Sequence, residues 1–295
     1  NGSYNMNNPI LDICEDYVVI SDRGGKKIEV FNGSGHVISL EVLHPIIKAE
    51  VANQGVVAVL MDGEELNYIQ LISPTGEVLV DSKTTIEKNG FPIDFSMSRD
   101  GRKLVTSYIT LNNGNMQSKV TFYNFGGVGQ NYIDRIVGGF DHGLTFVSKV
   151  EFINNDTVSV FGDDKFCIYK ISEVPKLIYE EALQSEIKSI AYSDKYIGII
   201  QKDIDGKGGS LLKVYNEKGE SVFNKDINYN YNHVEIIKDE IIFYSDTEVN
   251  IIRLNGKEKF SATFDYNIVD FYPLAQKDNY LIVDQTKLRK IVLTR

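Results

Sequence analysis

Cysteine is scarce in this sequence, with only Cys14 and Cys167 among 295 residues. The two lie far apart, each in an apolar strand-like run, and neither belongs to a CxxC motif. This usage excludes a disulfide scaffold. We expect both cysteines to be small hydrophobic residues of the core.

Long hydrophobic runs are also missing, since the longest uninterrupted one is Val56 to Met61. A membrane helix needs about 20 such residues, so no segment of this chain is expected to span a bilayer. A charged-then-apolar leader of the signal-peptide kind is absent as well. Because the first residue is Asn1, we expect that a leader or N-terminal membrane anchor has been removed.

Basic residues are outnumbered by acidic ones, 31 to 41, which gives a net charge of −10. Such a surface repels phosphate backbones and anionic membranes, so nucleic acid is not expected as a partner. Hydrophobic residues make up 42% of the chain and charged residues 24%. That balance is typical of a globular protein with a substantial core.

Helical periodicity is almost absent, and what recurs is short runs of Val, Ile, Tyr and Phe between Gly, Asn and Asp turns. The stretch with the most helical character, residues 176–187, lies where a strand is expected. A hairpin phrase repeats along the chain, as in "IEVFNGSGHVI" and "KVYNEKGESV". Its turn glycines are Gly35, Gly76, Gly127, Gly219 and Gly256. A period of about 40 to 50 residues with four short strands indicates a β-propeller.

A second repeating feature is a short apolar segment that contains one acidic residue. It lies about 20 to 30 residues before each turn. The segments read "ILDI", "KAEV", "PIDF", "KVEF", "KSIA", "HVEI" and "IVDF". The residues at the acid position are Asp12, Glu50, Asp94, Glu151, Ser189 as the exception, Glu235 and Asp270. Seven segments predict an all-β fold, a seven-bladed β-propeller of four-stranded antiparallel blades.

We predict one propeller domain over residues 1–295. The blades are expected at about 10–43, 46–85, 91–141, 144–184, 186–229, 232–266 and 267–295. The last blade ends without a turn and a fourth strand. A closing strand is therefore expected from residues 1–9, which are poor strand formers, or from a segment upstream of them.

The third blade contains "PIDFSMSRDGRKLVTSYI", Pro92 to Ile109. This stretch resembles the F-S-x-D-G turn of TolB-like and YVTN-like bacterial propellers, in which Asp-Gly closes the hairpin between the first two strands. WD40 repeats and tryptophan-docking repeats fit less well, because both need Trp and this chain has none.

Taken whole, the repeats resemble an uncharacterised family of propeller domains from Gram-positive bacteria. Members of that family typically follow one N-terminal membrane helix and face outward. The resemblance implies an extracytoplasmic location and leaves the function open.

The recurring acids are the candidate binding residues, because the first strand of each blade is expected to line a central channel. As a functional site, Asp12, Glu50, Asp94, Glu151, Glu235 and Asp270 could hold a cation or a basic ligand. As structural groups, they could accept hydrogen bonds from backbone N–H groups of the next blade. Strand side chains point toward neighbouring blades, which favours the structural interpretation.

Other motifs carry little chemistry. "KDIDGKGGS", residues 202–210, resembles part of a calcium loop but lacks the remaining oxygen ligands, which favours a hairpin turn. The histidines have no ligand spacing, and HExxH, P-loop, GxSxG and dinucleotide motifs are absent. We therefore predict neither a metal site nor a cofactor nor catalytic residues.

Two functions remain open. The first is a monomeric, non-catalytic module outside the cell that binds a protein, peptide or glycan and contacts the membrane only through the removed anchor. The alternative is a calcium-dependent lactonase-like or glycan-cleaving enzyme that uses the channel carboxylates. An architectural or sensor role is a third possibility.

Overall fold

The computed structural model describes residues 5–64, 66–202 and 209–294. Strands dominate this part of the chain, and its α-helix, α1 (Ile86–Asn89), is a single turn long. The chain forms two compact units, one ending at Leu183 and the other beginning at Gln184. Within every sheet, neighbouring strands are antiparallel and follow one another along the chain.

The first unit contains four sheets of four strands each. The first sheet consists of β1 (Pro9–Cys14), β2 (Tyr17–Asp22), β3 (Lys27–Asn32) and β4 (Gly35–Glu41). The second consists of β5 (Ile46–Val51), β6 (Val57–Gly63), β7 (Leu66–Ile72) and β8 (Val78–Thr85). The third consists of β9 (Phe91–Met97), β10 (Lys103–Asn112), β11 (Asn115–Asn124) and β12 (Ile136–Gly143). The fourth consists of β13 (Val147–Asn154), β14 (Thr157–Gly162), β15 (Lys165–Ile171) and β16 (Pro175–Ala182).

The second unit contains three sheets. The fifth sheet consists of β17 (Ile187–Tyr192), β18 (Tyr196–Lys202), β19 (Ser210–Asn216) and β20 (Ser221–Ile227). The sixth consists of β21 (His233–Ile237), β22 (Glu240–Tyr244), β23 (Glu248–Arg253) and β24 (Glu258–Thr263). The seventh consists of β25 (Ile268–Pro273), β26 (Asn279–Asp284) and β27 (Leu288–Val292).

The seven antiparallel sheets confirm the predicted seven-bladed β-propeller fold. Within the described residues the seventh sheet has three strands, in agreement with the missing fourth strand of the last repeat. The stretch with helical character is strand β16, as expected from its place in the repeat. The assignment of residues 1–295 to a single domain stays a prediction.

The core lies between successive sheets of each unit. In the first unit, Val105 and Phe122 of the third sheet pack with Val150 and Val160 of the fourth. In the second unit, a cluster of the same kind joins the fifth and sixth sheets, and another joins the sixth and seventh. Middle strands such as β14 are buried along their whole length, because both faces of each sheet pack on a neighbour.

The outer hairpin turns follow the predicted glycine register at four of five positions. Gly35, Gly76, Gly219 and Gly256 have φ values of 122°, 86°, 85° and 77°, where a side chain is unfavourable. The prediction for Gly127 is wrong, because its φ is −57°. The connection from β11 to β12 is longer there and passes through two short 3₁₀ turns, residues 128–131 and 133–135.

The Asp-Gly turn and the cysteines agree with the sequence analysis. The Gly101 N–H donates to the Ser98 carbonyl at 2.8 Å between β9 and β10, and Gly101 has a φ of 65°. Both cysteines are free thiols; Cys167 is buried and Cys14 half-buried.

Candidate functional site

The six candidate acids lie on the first strands of their sheets. Those strands are β1, β5, β9 and β13 in the first unit and β21 and β25 in the second. Because side chains alternate along a strand, each acid and the residue two positions away lie on the same face of the sheet. The environment of the acids differs between the two units.

In the first unit, three acids connect one sheet to the next through backbone N–H groups. The Val51 N–H donates to the Asp12 carboxylate at 2.8 Å, and the Met97 N–H donates to Glu50 at 2.7 Å. The Val150 N–H donates to Asp94 at 3.1 Å. Because β-strand edges otherwise leave such N–H groups unpaired, these bonds support the structural interpretation of the acids.

Two lysines link Glu50, Asp94 and Glu151 into a continuous charged row, which we call the acid–lysine row. Lys48 Nζ lies 2.7 Å from Glu50 and 2.7 Å from Asp94. Lys149 Nζ lies 2.9 Å from Glu151 and 4.0 Å from Asp94. The three carboxylate side chains are only 11 to 13% exposed. Each buried negative charge in this row therefore has an ammonium partner.

Burial shifts the titration of Glu151, at one end of the row, and of Asp12, which lies near Glu50. Desolvation, with a further contribution from Glu50, raises the pKa of Asp12 to about 6. Desolvation raises the pKa of Glu151 to about 7, although Lys149 opposes the shift. Burial alone would lower the pKa of Lys48, but its two carboxylate partners outweigh that effect and raise it. Lys48 is therefore charged at all physiological pH values, whereas Asp12 and Glu151 titrate near neutrality.

The sequence analysis missed the lysines, although a signal for them is present. Each glutamate of the series is preceded by a basic residue two positions earlier, in "KAE", "KVE" and "HVE". Two positions before the aspartates the sequence has Ile10, Pro92 and Ile268 instead of a basic residue. A cation and a glutamate at this spacing share one strand face and can pair without any help from the rest of the fold.

In the second unit, Asp270 is held by tyrosine hydroxyls. The Tyr244 hydroxyl, from the sixth sheet, donates to Asp270 at 2.8 Å, and the Tyr272 hydroxyl donates to its other oxygen. The Phe271 N–H also donates to Asp270, at 2.9 Å. The hydrogen bond to Asp270, and then burial, raise the pKa of Tyr272 to about 12.

Glu235 is the exception among the glutamates. Its basic neighbour His233 stacks on the Tyr244 ring, with ring centroids 4.8 Å apart and an interplanar angle of 14°. Within residues 5–64, 66–202 and 209–294, Glu235 receives neither a hydrogen bond nor an ion pair. Burial, and then the charge of Asp270, raise its pKa, and His233 opposes this shift. Glu235 is thus a half-buried carboxylate to which no group of the described residues donates a hydrogen bond.

The remaining register position holds Ser189, which is also hydrogen-bonded. The Tyr231 hydroxyl donates to Ser189 Oγ at 3.2 Å, and the Lys188 ammonium lies 5.0 Å from the Tyr231 ring centroid. Tyr231 and Tyr229 both pack on Phe243. These tyrosines are therefore part of the packing between the fifth and sixth sheets.

A second charged cluster lies at the turn end of the sixth and seventh sheets, beside a cavity of about 320 Å³. Lys259, with only 6% of its side chain exposed, pairs with Glu240 and Asp278. Its ammonium donates to the Tyr280 hydroxyl at 2.8 Å, and that hydroxyl donates to Glu240 at 2.6 Å. Glu240 and Asp278 thus share one ammonium group, which leaves the cluster with one net negative charge.

Three further observations concern the described part of the chain. No three His, Cys, Asp or Glu side chains there are grouped so as to hold a metal ion. No helix there is long and apolar enough to cross a membrane. Most of the possible calcium-loop fragment, residues 203–208, lies outside the described residues.

The sequence matches one protein family. The model of a family of unknown function, DUF5711, matches residues 1–293. A search of curated proteins gives no match.

Solved structures resemble the fold at low sequence identity. Hsv2 from Kluyveromyces marxianus has a TM-score of 0.60 and 15% identity, over 94% of this chain and 89% of that one. The acylaminoacyl peptidase of Pyrococcus horikoshii has a TM-score of 0.59 and 11% identity, and the match covers 95% of this chain but 51% of the peptidase. BBS1N in complex with ARL6DN has a TM-score of 0.56 and 11% identity, over 96% and 90% of the two chains. Such likenesses establish the propeller fold, which hosts both binding proteins and enzymes.

Proposed function

This chain belongs to the family of unknown function DUF5711, and we propose that it is a non-catalytic binding module for a protein partner. The fold is one that presents loops and strand edges on stable sheets, and one structural relative, BBS1N, is in complex with another protein. Function on such a scaffold depends on particular side chains and not on the fold itself.

The observation that carries this proposal is the difference between the two sets of acids. In the first unit, Glu50 and Asp94 bond to both a lysine and a backbone N–H group. Their oxygens are therefore committed to holding the sheets together. In the second unit, Glu235 has no such commitment within the described residues and remains available to a ligand.

The same observation disfavours the calcium-dependent enzyme. A calcium ion takes six to eight oxygen ligands, largely from carboxylates with free lone pairs. In the first unit the ammonium groups of Lys48 and Lys149 already lie between the carboxylates, where a cation would have to bind. Metal binding there would require the ion pairs of both lysines to open.

The proposed location is outside the cytoplasm, behind an N-terminal anchor. The likeness of the repeats to propeller domains that follow a membrane helix supports this location. A surface with a net charge of −10 favours association with a basic partner and disfavours adsorption to anionic lipid.

The proposal is tested on the full-length protein in its own cells. Protease added outside intact cells should cleave the domain, and a membrane-impermeant cross-linker should join it to one dominant protein. Protection from the external protease, with cleavage only after lysis, would contradict the location. Cross-linking to no protein above the background of a non-specific surface control would contradict the binding function.

A further inference from the structure

The first unit shows how this fold satisfies a glutamate at the acid position of the first strand. In the second and fourth sheets a lysine two residues earlier places its ammonium 2.7 and 2.9 Å from Glu50 and Glu151. Glu50 also accepts a backbone N–H from the following sheet. The carboxylate at this position is thus matched by a primary ammonium supplied from within the chain.

In the sixth sheet no group of the described residues donates a hydrogen bond to Glu235. His233 occupies the lysine position; its imidazole is stacked on the Tyr244 ring and opposes the upward shift of the Glu235 pKa through its charge alone. Phe271 follows the acid of the next sheet, as Val51 does, but its N–H donates to Asp270. Glu235 therefore lacks both the ammonium and the backbone N–H that Glu50 has.

The surroundings of Glu235 suit an organic cation. Asp270 is fixed by two tyrosine hydroxyls and contributes a second negative charge. The rings of His233 and Tyr272 add aromatic surface, and aromatic rings attract ammonium and guanidinium groups. Tyr272 is 43% exposed and His233 is exposed as well, so the site is open to a partner.

We propose that Glu235 and Asp270, with the rings of His233 and Tyr272, bind a lysine or arginine side chain of a protein partner. The external cation takes the place that Lys48 and Lys149 fill in the first unit. This inference rests on the proposed binding function and names the chemical group that the partner supplies.

The test is an NMR titration of the ¹⁵N-labelled full chain, followed at the amides of Val269, Phe271 and Tyr272. The probes are a capped Gly-Lys-Gly peptide, the same peptide with glutamine in place of lysine, and spermidine. The lysine peptide should shift these amides at millimolar concentration, and the glutamine peptide should not. A response to spermidine without one to the lysine peptide would overturn the assignment to a peptide side chain.

Three variants make the test specific. Glu235→Gln is isosteric and should weaken lysine-peptide binding about tenfold or more, because a hydrogen bond to a charged group is lost. His233→Lys should recreate the internal pair of the first unit and abolish binding of the external peptide. Glu217→Gln removes one half-buried charge in an outer turn of the same unit and should leave binding unchanged.

Two results of the titration, and one of the cross-linking experiment, would refute the site. One is equal weakening by Glu235→Gln and Glu217→Gln, which indicates general charge attraction. The other is binding that survives His233→Lys in a chain whose circular dichroism matches the wild type. If the cell-surface partner cross-links equally well to wild type and to Glu235→Gln, the binding function stands and this site falls.

Discussion

Lys48 Nζ lies 2.7 Å from a carboxylate oxygen of Asp94, 46 residues further along the chain. The same ammonium pairs with Glu50 on its own strand. Lys48 therefore joins the first strands of the second and third sheets through one buried charge. Both carboxylates therefore have an ammonium partner within the chain.

Replacing Lys48 by methionine should destabilise the protein by about 2 to 4 kcal/mol, because two largely buried carboxylates lose their counter-charge. Urea unfolding followed by circular dichroism measures the effect. Lys176→Met, on the exposed face of β16, is the matched control and should change stability by less than about 0.5 kcal/mol. Equal effects of the two substitutions would contradict the assigned role of the acid–lysine row.

Stability should fall as the pH rises from 5 to 8. Asp12 and Glu151 have pKa values of about 6 and about 7 in the folded chain, above the ordinary values of 3.8 and 4.5. Between its ordinary and its raised pKa, each of these groups is more protonated in the folded than in the unfolded chain. The stabilisation from the protonated form is therefore lost as the group ionises in the folded chain. The charged groups around them are Lys48, Glu50 and Lys149.

The expected loss from these two groups is about 2 to 4 kcal/mol. Between pH 5 and 8 the free energy of unfolding of Asp12→Asn should fall by about 1 kcal/mol less than that of the wild type. Urea unfolding at several pH values, for wild type and variant, gives both curves. Parallel curves would show that Asp12 titrates normally in the folded state.

Much of the fold could be predicted because two separate features of the sequence recur from blade to blade. The turn glycines and the acids of the first strands are independent registers, and both follow from backbone requirements that recur in every blade. Gly127 misled because the third blade has a longer outer connection, in which Asp134 and Arg135 adopt the positive φ values instead. A glycine in a turn-like sequence does not itself reveal its backbone angle.

The Asp-Gly turn that resembles TolB-like repeats should be sensitive to substitution. Gly101 has a φ of 65°, and a Cβ there would lie 3.1 Å from Ala52 Cβ and 2.7 Å from Gln54 Nε2. Gly101→Ala should cost about 1 to 2 kcal/mol of stability through backbone strain and this contact. Gly33→Ala is the control, since Gly33 has ordinary backbone angles and open space around it. Thermal unfolding of the two variants should separate them clearly.

The Lys259 cluster should stabilise the second unit. Lys259→Met leaves Glu240 and Asp278 without their shared cation and should cost about 3 kcal/mol. Hydrogen exchange should increase first in β24 and β26, which flank the cluster. Increased exchange confined to the first unit would contradict this assignment.

The candidate site was only partly predictable. Lys48 and Lys149 could have been found from the sequence, because a cation two residues before a glutamate shares its strand face. The bonds from Tyr244 and Tyr272 to Asp270 depend on the packing of one sheet on the next. No spacing along the chain encodes that contact, so the difference between Glu235 and the other glutamates needed the structure.

The most direct measurement compares Glu50→Gln with Glu235→Gln in the same two assays, urea unfolding and NMR titration with the lysine peptide. Glu50→Gln should lower the free energy of unfolding by about 2 kcal/mol and leave peptide binding unchanged. Glu235→Gln should leave stability unchanged or slightly raised, because it removes an uncompensated half-buried charge, and should weaken peptide binding about tenfold. Loss of stability in Glu235→Gln together with unchanged peptide binding would contradict the division between structural and ligand-binding acids.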